Sequence, residues 1–407
     1  MLSRRDLLTR AVRLTPVAGG AVCLASAPRW VDALARDALA EATVQNLARN
    51  APVARFWTNP VLAGSNCTPC HTGGAPPRPH AHKPTTVRCL LCAQGCTIEA
   101  GQRGKCRVRA NVGGQLRSLS YGRPLAVHVD PIEKKPFFHF LPGSDAYSLG
   151  TCGCPLRCKF CQNWTLSQAS PEDNDTPYAS PDAVARAAGE SRAKVVAFTY
   201  NEPTVFAEYA LDIAREARKR RLRSVMVSCG FMNEAPLAEM CALFDAIKID
   251  LKGFSEDFYR TVSSAELKPV LRSIKQIRTS GVHLEIVNLV VPTLNDDQRL
   301  LQDLVGWVAG ELGPEVPLHF TRFHPDYQLL NLPPTPIATL DRARETALAK
   351  GLHYVYVGNV PGHPGNHTYC PKCRTIVIKR DGFFVESTAM KAGACAKCGT
   401  KIAGVFA

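Results

Sequence analysis

The 407-residue sequence has no apolar run as long as a membrane span, about 20 residues, so no transmembrane segment is expected in the mature protein. Acidic residues are few beside basic ones, 35 against 49, and aromatics make up only 7%. A basic excess suggests acidic partners. Its densest stretch, Arg215 to Arg223, has no aromatic residue between the charges. It therefore lacks the stacking platform of a nucleic-acid binder and reads as the solvated end of a helix, so no nucleic-acid partner is expected. With 45% hydrophobic and 21% charged residues the chain is not a disordered one.

What the chain has in excess is cysteine. Of seventeen, fourteen fall into four sets with ligand-like spacing: 67/70, 89/92/96/106, 152/154/158/161 and 370/373/395/398. Cys23, Cys229 and Cys241 stand alone. A disulfide framework belongs to small secreted domains, not to a chain of this length, so the sets read as metal ligands. Ligation deprotonates thiols. Two four-cysteine zinc sites at about −2 each would bring the formal charge of +14 to about +10 or lower.

From Ala146 onward the chain repeats strand, loop, helix. Strands are predicted at Ala146–Cys152, Val195–Tyr200, Ser224–Ser228, Ala246–Asp250, His283–Val291 and Leu318–Phe323, with His353–Val357 as a further candidate. Continuous Val/Ile/Leu strands alternating with helices predict a parallel sheet covered on its faces. Right-handed crossovers would curl six such units into an open barrel. In barrels the chemistry sits at the carboxyl ends of the strands.

Three cysteines in Cys154-Pro-Leu-Arg-Cys158-Lys-Phe-Cys161 follow the first of these strands. A structural zinc site wants four closed ligands, whereas three thiolates on a four-iron cluster leave one iron open. This C-x3-C-x2-C motif resembles the radical SAM superfamily. Asn201-Glu202-Pro203-Thr204, Asp250-Leu251-Lys252 and Val291-Pro-Thr-Leu-Asn-Asp296 follow in order at strand ends. Together with the flanking cysteine sets, over about residues 86 to 407, the pattern is similar to the radical SAM component of the AmmeMemoRadiSam system and to pyruvate formate-lyase activating enzymes. The resemblance implies a partial (β/α)6 TIM-like barrel, a [4Fe-4S] cluster on Cys154, Cys158 and Cys161, and S-adenosyl-L-methionine. It further implies a radical abstracting hydrogen from a substrate, such as a protein or peptide in a Memo-like or AMMECR-like partner, and a flavodoxin- or ferredoxin-like electron donor. Glu202 would orient the SAM ammonium and Lys252, held by Asp250, its carboxylate. Ser228 could donate to the ribose or carboxylate. Two departures stand out: Tyr200-Asn201 replaces the superfamily's paired glycines, and Cys229 stands where related activating enzymes tend to have asparagine. One rival is a non-catalytic electron-transfer protein in which Cys152 closes the cluster. Another is a partner-binding scaffold stabilised by its metals.

The flanks carry their own signals. Ser3-Arg4-Arg5-Asp6-Leu7-Leu8 and the apolar segment to Ala27 resemble a twin-arginine export signal over residues 1–30. Because SAM and low-potential donors are cytosolic, cytoplasmic assembly is expected, with export to the periplasm left open. The segment 31–85 reads as a helix over Val31 to Arg49 and a linker. It contains Cys67-Thr-Pro-Cys70-His71, a c-type haem signature, or a labile metal pair with His80 and His82. Residues 86–140 form a module closed by Cys89, Cys92, Cys96 and Cys106, holding zinc or a second iron–sulfur cluster. Its polar loop from Asp130 to His139 is expected near the barrel mouth. The barrel spans 141–358. In 359–407, Cys370-Pro-Lys-Cys373 and Cys395-Ala-Lys-Cys398 flank a hairpin signal at Asp381-Gly382, the pattern of a zinc ribbon.

Overall fold

Seven parallel strands and one antiparallel edge strand make the central sheet. The computed structural model describes residues 47–48, 51–60 and 83–407. Strand β1 (Ala126–Pro131) pairs antiparallel with β2 (Asp145–Gly150). From β2 every pairing is parallel, through β3 (Val195–Phe198), β4 (Arg223–Ser228), β5 (Ala246–Asp250), β6 (His283–Val290), β7 (Leu318–Arg322) and β8 (Val355–Gly358). The sheet is open, with β1 and β8 as its edges. Helices α1 (Pro181–Glu190), α2 (Ala207–Lys219), α3 (Glu234–Leu243), α4 (Leu267–Ser280), α5 (Gln298–Leu312) and α6 (Ile337–Ala349) alternate with β2 to β8. The six predicted strand–helix units are therefore present, and the run near residue 355 supplies a seventh parallel strand.

The strand residues divide by alternation. Leu149, Val196, Phe198, Met226, Ile247, Ile249, Ile286 and Phe320 join the helices in one large apolar core. The other face carries Ala146, Val195, Ala197, Val225 and Ala246, then turns polar with Lys248, Glu285 and His319, all buried. Helix starts and stops follow local chemistry. Ser180 caps α1 by accepting from Ala183 N at 3.2 Å, with Pro181 next. Gly281 ends α4 at φ +80°.

The loop from Asp130 to His139 lies at the opposite end from the one expected. Because β1 runs antiparallel, its last residue, Pro131, faces Asp145, the first of β2. Ile132, Phe137, Phe140 and Leu141 then pack on Ala146, Val195, Ala197, Val225 and Ala246. The segment plugs the amino end of the strands rather than the mouth. Residues 126–131, expected in the N-terminal module, belong to the barrel sheet.

The N-terminal module has a three-stranded antiparallel sheet (Trp57–Thr58, Val87–Cys89, Thr97–Ile98) and a hairpin of Arg109–Val112 with Gln115–Ser118. It is bolted to α2 by Arg109, whose guanidinium makes a two-pronged pair with Glu208, both groups buried. The C-terminal module pairs Ile376–Asp381 with Phe384–Thr388 across Gly382, as expected, and adds Thr368–Tyr369. Its core joins Phe138 of the plug and Tyr354 and Tyr356 of the last strand region. The twin-arginine-like segment, Cys67, Cys70, His71, His80 and His82 lie outside the described residues, as does the predicted helix Val31–Arg49 apart from Leu47 and Ala48. Among the described residues no helix is long and apolar enough to cross a membrane.

Candidate active site

The cysteine loop leaves β2 through two tight glycines. A Cβ on Gly150 would meet Thr199 O at 2.6 Å, and one on Gly153 (φ +87°) would meet Cys106 O at 2.4 Å. Asn201, at the end of β3, holds the same turn. Its Nδ2 donates to Cys152 O (3.0 Å) and Gly153 O (2.9 Å), and its Oδ1 accepts from Thr151 N at 3.1 Å. The residue that departs from the superfamily's glycine therefore has a positioning role. The far side of the loop is tied to a π turn, Tyr259–Ser263. That wider turn offers carbonyls outward: Arg157 N donates to Ser263 O (2.9 Å) and Lys159 N to Val262 O (3.0 Å).

Cys158 is buried, and Cys154 and Cys161 are partly exposed. Burial pushes the Cys154 and Cys158 thiols up, the second opposed by the Lys252 ammonium. Ligation to metal would be what deprotonates them. The Ser263 hydroxyl beside Cys158 is buried and has no oxygen or nitrogen partner. Among the described residues, only Cys370, Cys373, Cys395 and Cys398 gather all their sulfurs within 4.8 Å, the span of a single ion. In the Cys154 set, three thiols with a buried hydroxyl and a cation beside them fit an iron–sulfur cluster with one open iron better than a closed four-ligand ion site. Cys152 lies apart. Burial raises its thiol to about 12, and its charged neighbours are Glu172, Asp173 and Cys106.

The predicted SAM contacts converge on this loop. Glu202 is buried and accepts four hydrogen bonds: from Thr204 N (3.1 Å), Thr204 Oγ1 (2.6 Å), Ser228 Oγ (2.7 Å) and Cys229 N (2.7 Å). Its carboxylate lies near Cys154 and Cys229. Ser228, read as a ligand donor, instead spends its proton on Glu202 and accepts from Gly230 N at 3.0 Å. Asp250 accepts from Lys248 and, at 3.2 Å, from Lys252. Burial pushes the Asp250 carboxyl up, but the two ammonium groups outweigh it and bring it to about 2. Burial opposes the Lys252 charge, yet Asp250 and the Cys158 sulfur hold it well above the usual lysine range. Lys252 Nζ stands 5.7 Å from the Phe160 ring centroid, between two of the cysteines in sequence.

Two positioning residues were missed in the sequence. Lys248, one turn of the pleat before Asp250, is the latter's buried partner. Asn295, in the Val291–Asp296 motif, donates to Lys252 O and Leu289 O, both at 2.8 Å, and accepts from Val291 N at 2.6 Å. The motif thus fixes the Lys252 backbone. The only signal for either was a polar residue in or just after an apolar strand.

The C-terminal cysteines form the other site. Cys370 and Cys398 sulfurs are 3.5 Å apart, and those of Cys373 and Cys395 are 3.7 Å apart. A tetrahedron with metal–sulfur bonds of about 2.3 Å has edges of about 3.8 Å, so the set fits a single ion.

Comparison with known proteins agrees with this geometry. The radical SAM superfamily profile matches residues 148–304. An uncharacterized protein of Methanocaldococcus jannaschii is 42% identical over 318 residues, 78% of this chain and 95% of that one. The pyruvate formate-lyase-activating enzyme of Clostridium pasteurianum is 21% identical over 222 residues, covering 49% of this chain and 87% of its own. A solved domain of a pyruvate-formate lyase-activating enzyme from Bacteroides vulgatus superposes with a TM-score of 0.37 at 14% identity, over 40% of this chain and 98% of that one. With its cysteine loop, its strand-end carboxylate and cations, and a relative matched along nearly its whole length, the chain belongs to the radical SAM superfamily.

Proposed function

We propose that this radical SAM enzyme abstracts hydrogen from a protein or peptide, in the manner of an activating enzyme, as the radical SAM component of an AmmeMemoRadiSam system. The observation that carries the reading is the convergence of Glu202, from the end of β3, and of Asp250 and Lys252, from the end of β5, on Cys154 and Cys158. Bound there, a [4Fe-4S] cluster and SAM supply reductive cleavage to methionine and a 5′-deoxyadenosyl radical. The protein's part is orientation. Glu202, fixed by Ser228 and Thr204, presents an anion to the SAM ammonium. Lys252, held by Asp250 and Asn295, presents a cation to the SAM carboxylate. Phe160 and Phe258, with ring centroids 6.2 Å apart, keep this side of the loop apolar. Zinc is the ion proposed for the C-terminal set, a flavodoxin- or ferredoxin-like protein the electron donor, and a Memo-like or AMMECR-like protein the partner.

Incubating the reduced enzyme and SAM with a deuterated protein extract tests the substrate class. Deuterium entering 5′-deoxyadenosine from the macromolecular fraction supports it. Label arriving only from the low-mass fraction would refute a protein or peptide substrate.

A further inference from the structure

We propose that Cys89, Cys92, Cys96 and Cys106 hold a redox-active iron–sulfur cluster, not zinc, set against the Cys154 loop. Three observations carry this. First, the four sulfurs line one small, enclosed cavity with Arg109 and Pro155. These four cysteines face a cavity, whereas the C-terminal sulfurs close on one another to 3.5 and 3.7 Å. A multinuclear cluster holds each thiolate on its own iron, and so holds them farther apart than one tetrahedral ion does.

Second, the two cysteine sets have different electrostatic surroundings. Arg88 faces Cys89 and Cys96, and Arg109 faces Cys89 and Cys106. Lys105 faces Cys92 and Cys96, and Arg157 faces Cys106. At the C-terminal set the sulfurs bond instead to neutral hydroxyls, Cys373 Sγ to Thr375 Oγ1 at 3.4 Å and Cys398 Sγ to Thr400 Oγ1 at 3.2 Å. Cations around a cluster favour the more negative, reduced form, whereas zinc has no second redox state to stabilise.

Third, the site abuts the radical SAM loop. Pro155, which lines the cavity, directly follows Cys154. Gln94 Nε2 donates to Pro155 O at 3.0 Å, and Arg157 donates to Lys105 O. Lys105 and Arg157 each face a cysteine of both sets. The placement suits transfer of one electron across Pro155. The N-terminal cluster is oxidised by one electron, the Cys154 cluster is reduced by one, and a low-potential one-electron donor restores the first.

Metal content tests this without SAM and so apart from the cleavage reaction. The full chain, reconstituted anaerobically, is assayed for iron, acid-labile sulfide and zinc. The wild type is expected to hold iron and sulfide beyond one four-iron cluster, more than about four irons per chain. The variant Cys154→Ala/Cys158→Ala/Cys161→Ala is expected to keep sulfide and a reducible EPR signal, and adding Cys92→Ser to remove both while zinc stays unchanged. A wild type with no more than one cluster's iron, or a triple variant with extra zinc and no sulfide, would overturn the proposal. The wild-type count decides the matter even where a variant fails to fold.

Discussion

Ser228 Oγ donates to Glu202 Oε1 at 2.7 Å, so the residue read as a ligand donor is instead the support of the carboxylate. Glu202→Gln keeps the shape and removes the charge. It is expected to weaken SAM binding by about a hundredfold, near the upper range for a buried charged hydrogen bond. Ser228→Ala removes one of four supports and is expected to weaken it by about tenfold. Anaerobic titration calorimetry compares the two. Equal losses would show that Ser228 touches SAM directly.

Asn201 is the clamp of the cysteine turn. Asn201→Ala leaves Cys152 O, Gly153 O and Thr151 N without their partner, a cost of about 1–3 kcal/mol. The expected outcome is lower iron loading on Cys154, Cys158 and Cys161 and a melting temperature lower by a few degrees. Unchanged loading in quantitative iron assays would remove the clamp from the account.

Acid stability has two windows. Burial pushes His139 down to about 3, with its ring bonded to Tyr356 Oη and Ala403 O, both at 2.5 Å. The unfolded value is about 6.5, so this contribution is complete above that pH and is lost as the pH falls from there toward 3. Burial lowers His319 too, so it acts in the same sense. Asp250, brought down to about 2 by Lys248 and Lys252 against its burial, contributes fully above about 3.9 and loses that only between there and 2. Urea midpoints at pH 7 and 4.5 for wild type and His139→Gln check this. The wild-type advantage should shrink at the lower pH, and a constant gap would contradict it.

The C-terminal module ties the Cys370–Cys398 set to the barrel base. Buried Arg380 donates to Phe138 O at 2.8 Å and lies 4.1 Å from that ring's centroid. A strong chelator is expected to release one zinc and raise hydrogen exchange in 368–402 and in the plug around Phe138. The Cys154 loop should keep its cluster absorbance. Exchange that rises equally in that loop would show the module to be part of the active site.

Sequence and structure part company where contacts are long-range. The C-terminal cysteine group and the six strand–helix units were legible because local spacing encodes them. The plug was misplaced because strand direction is not written in a strand's own residues; only the Ala126–Gly150 pairing reveals it. Arg109 and Glu208, 99 residues apart, look like ordinary surface charges until the module folds onto α2. Glu285 gave no signal either. It accepts from Phe138 N (3.0 Å) and His139 N (2.8 Å) and lies 2.8 Å from His319 Nε2, which gives that buried histidine its partner.

The most direct test of radical SAM chemistry in this chain is anaerobic production of 5′-deoxyadenosine. The reconstituted protein is reduced with dithionite, given SAM, and compared with Cys158→Ala. Product in the wild type that vanishes in the variant is the result predicted. A filled cluster that yields no product, and whose EPR spectrum does not change when SAM is added, would contradict it.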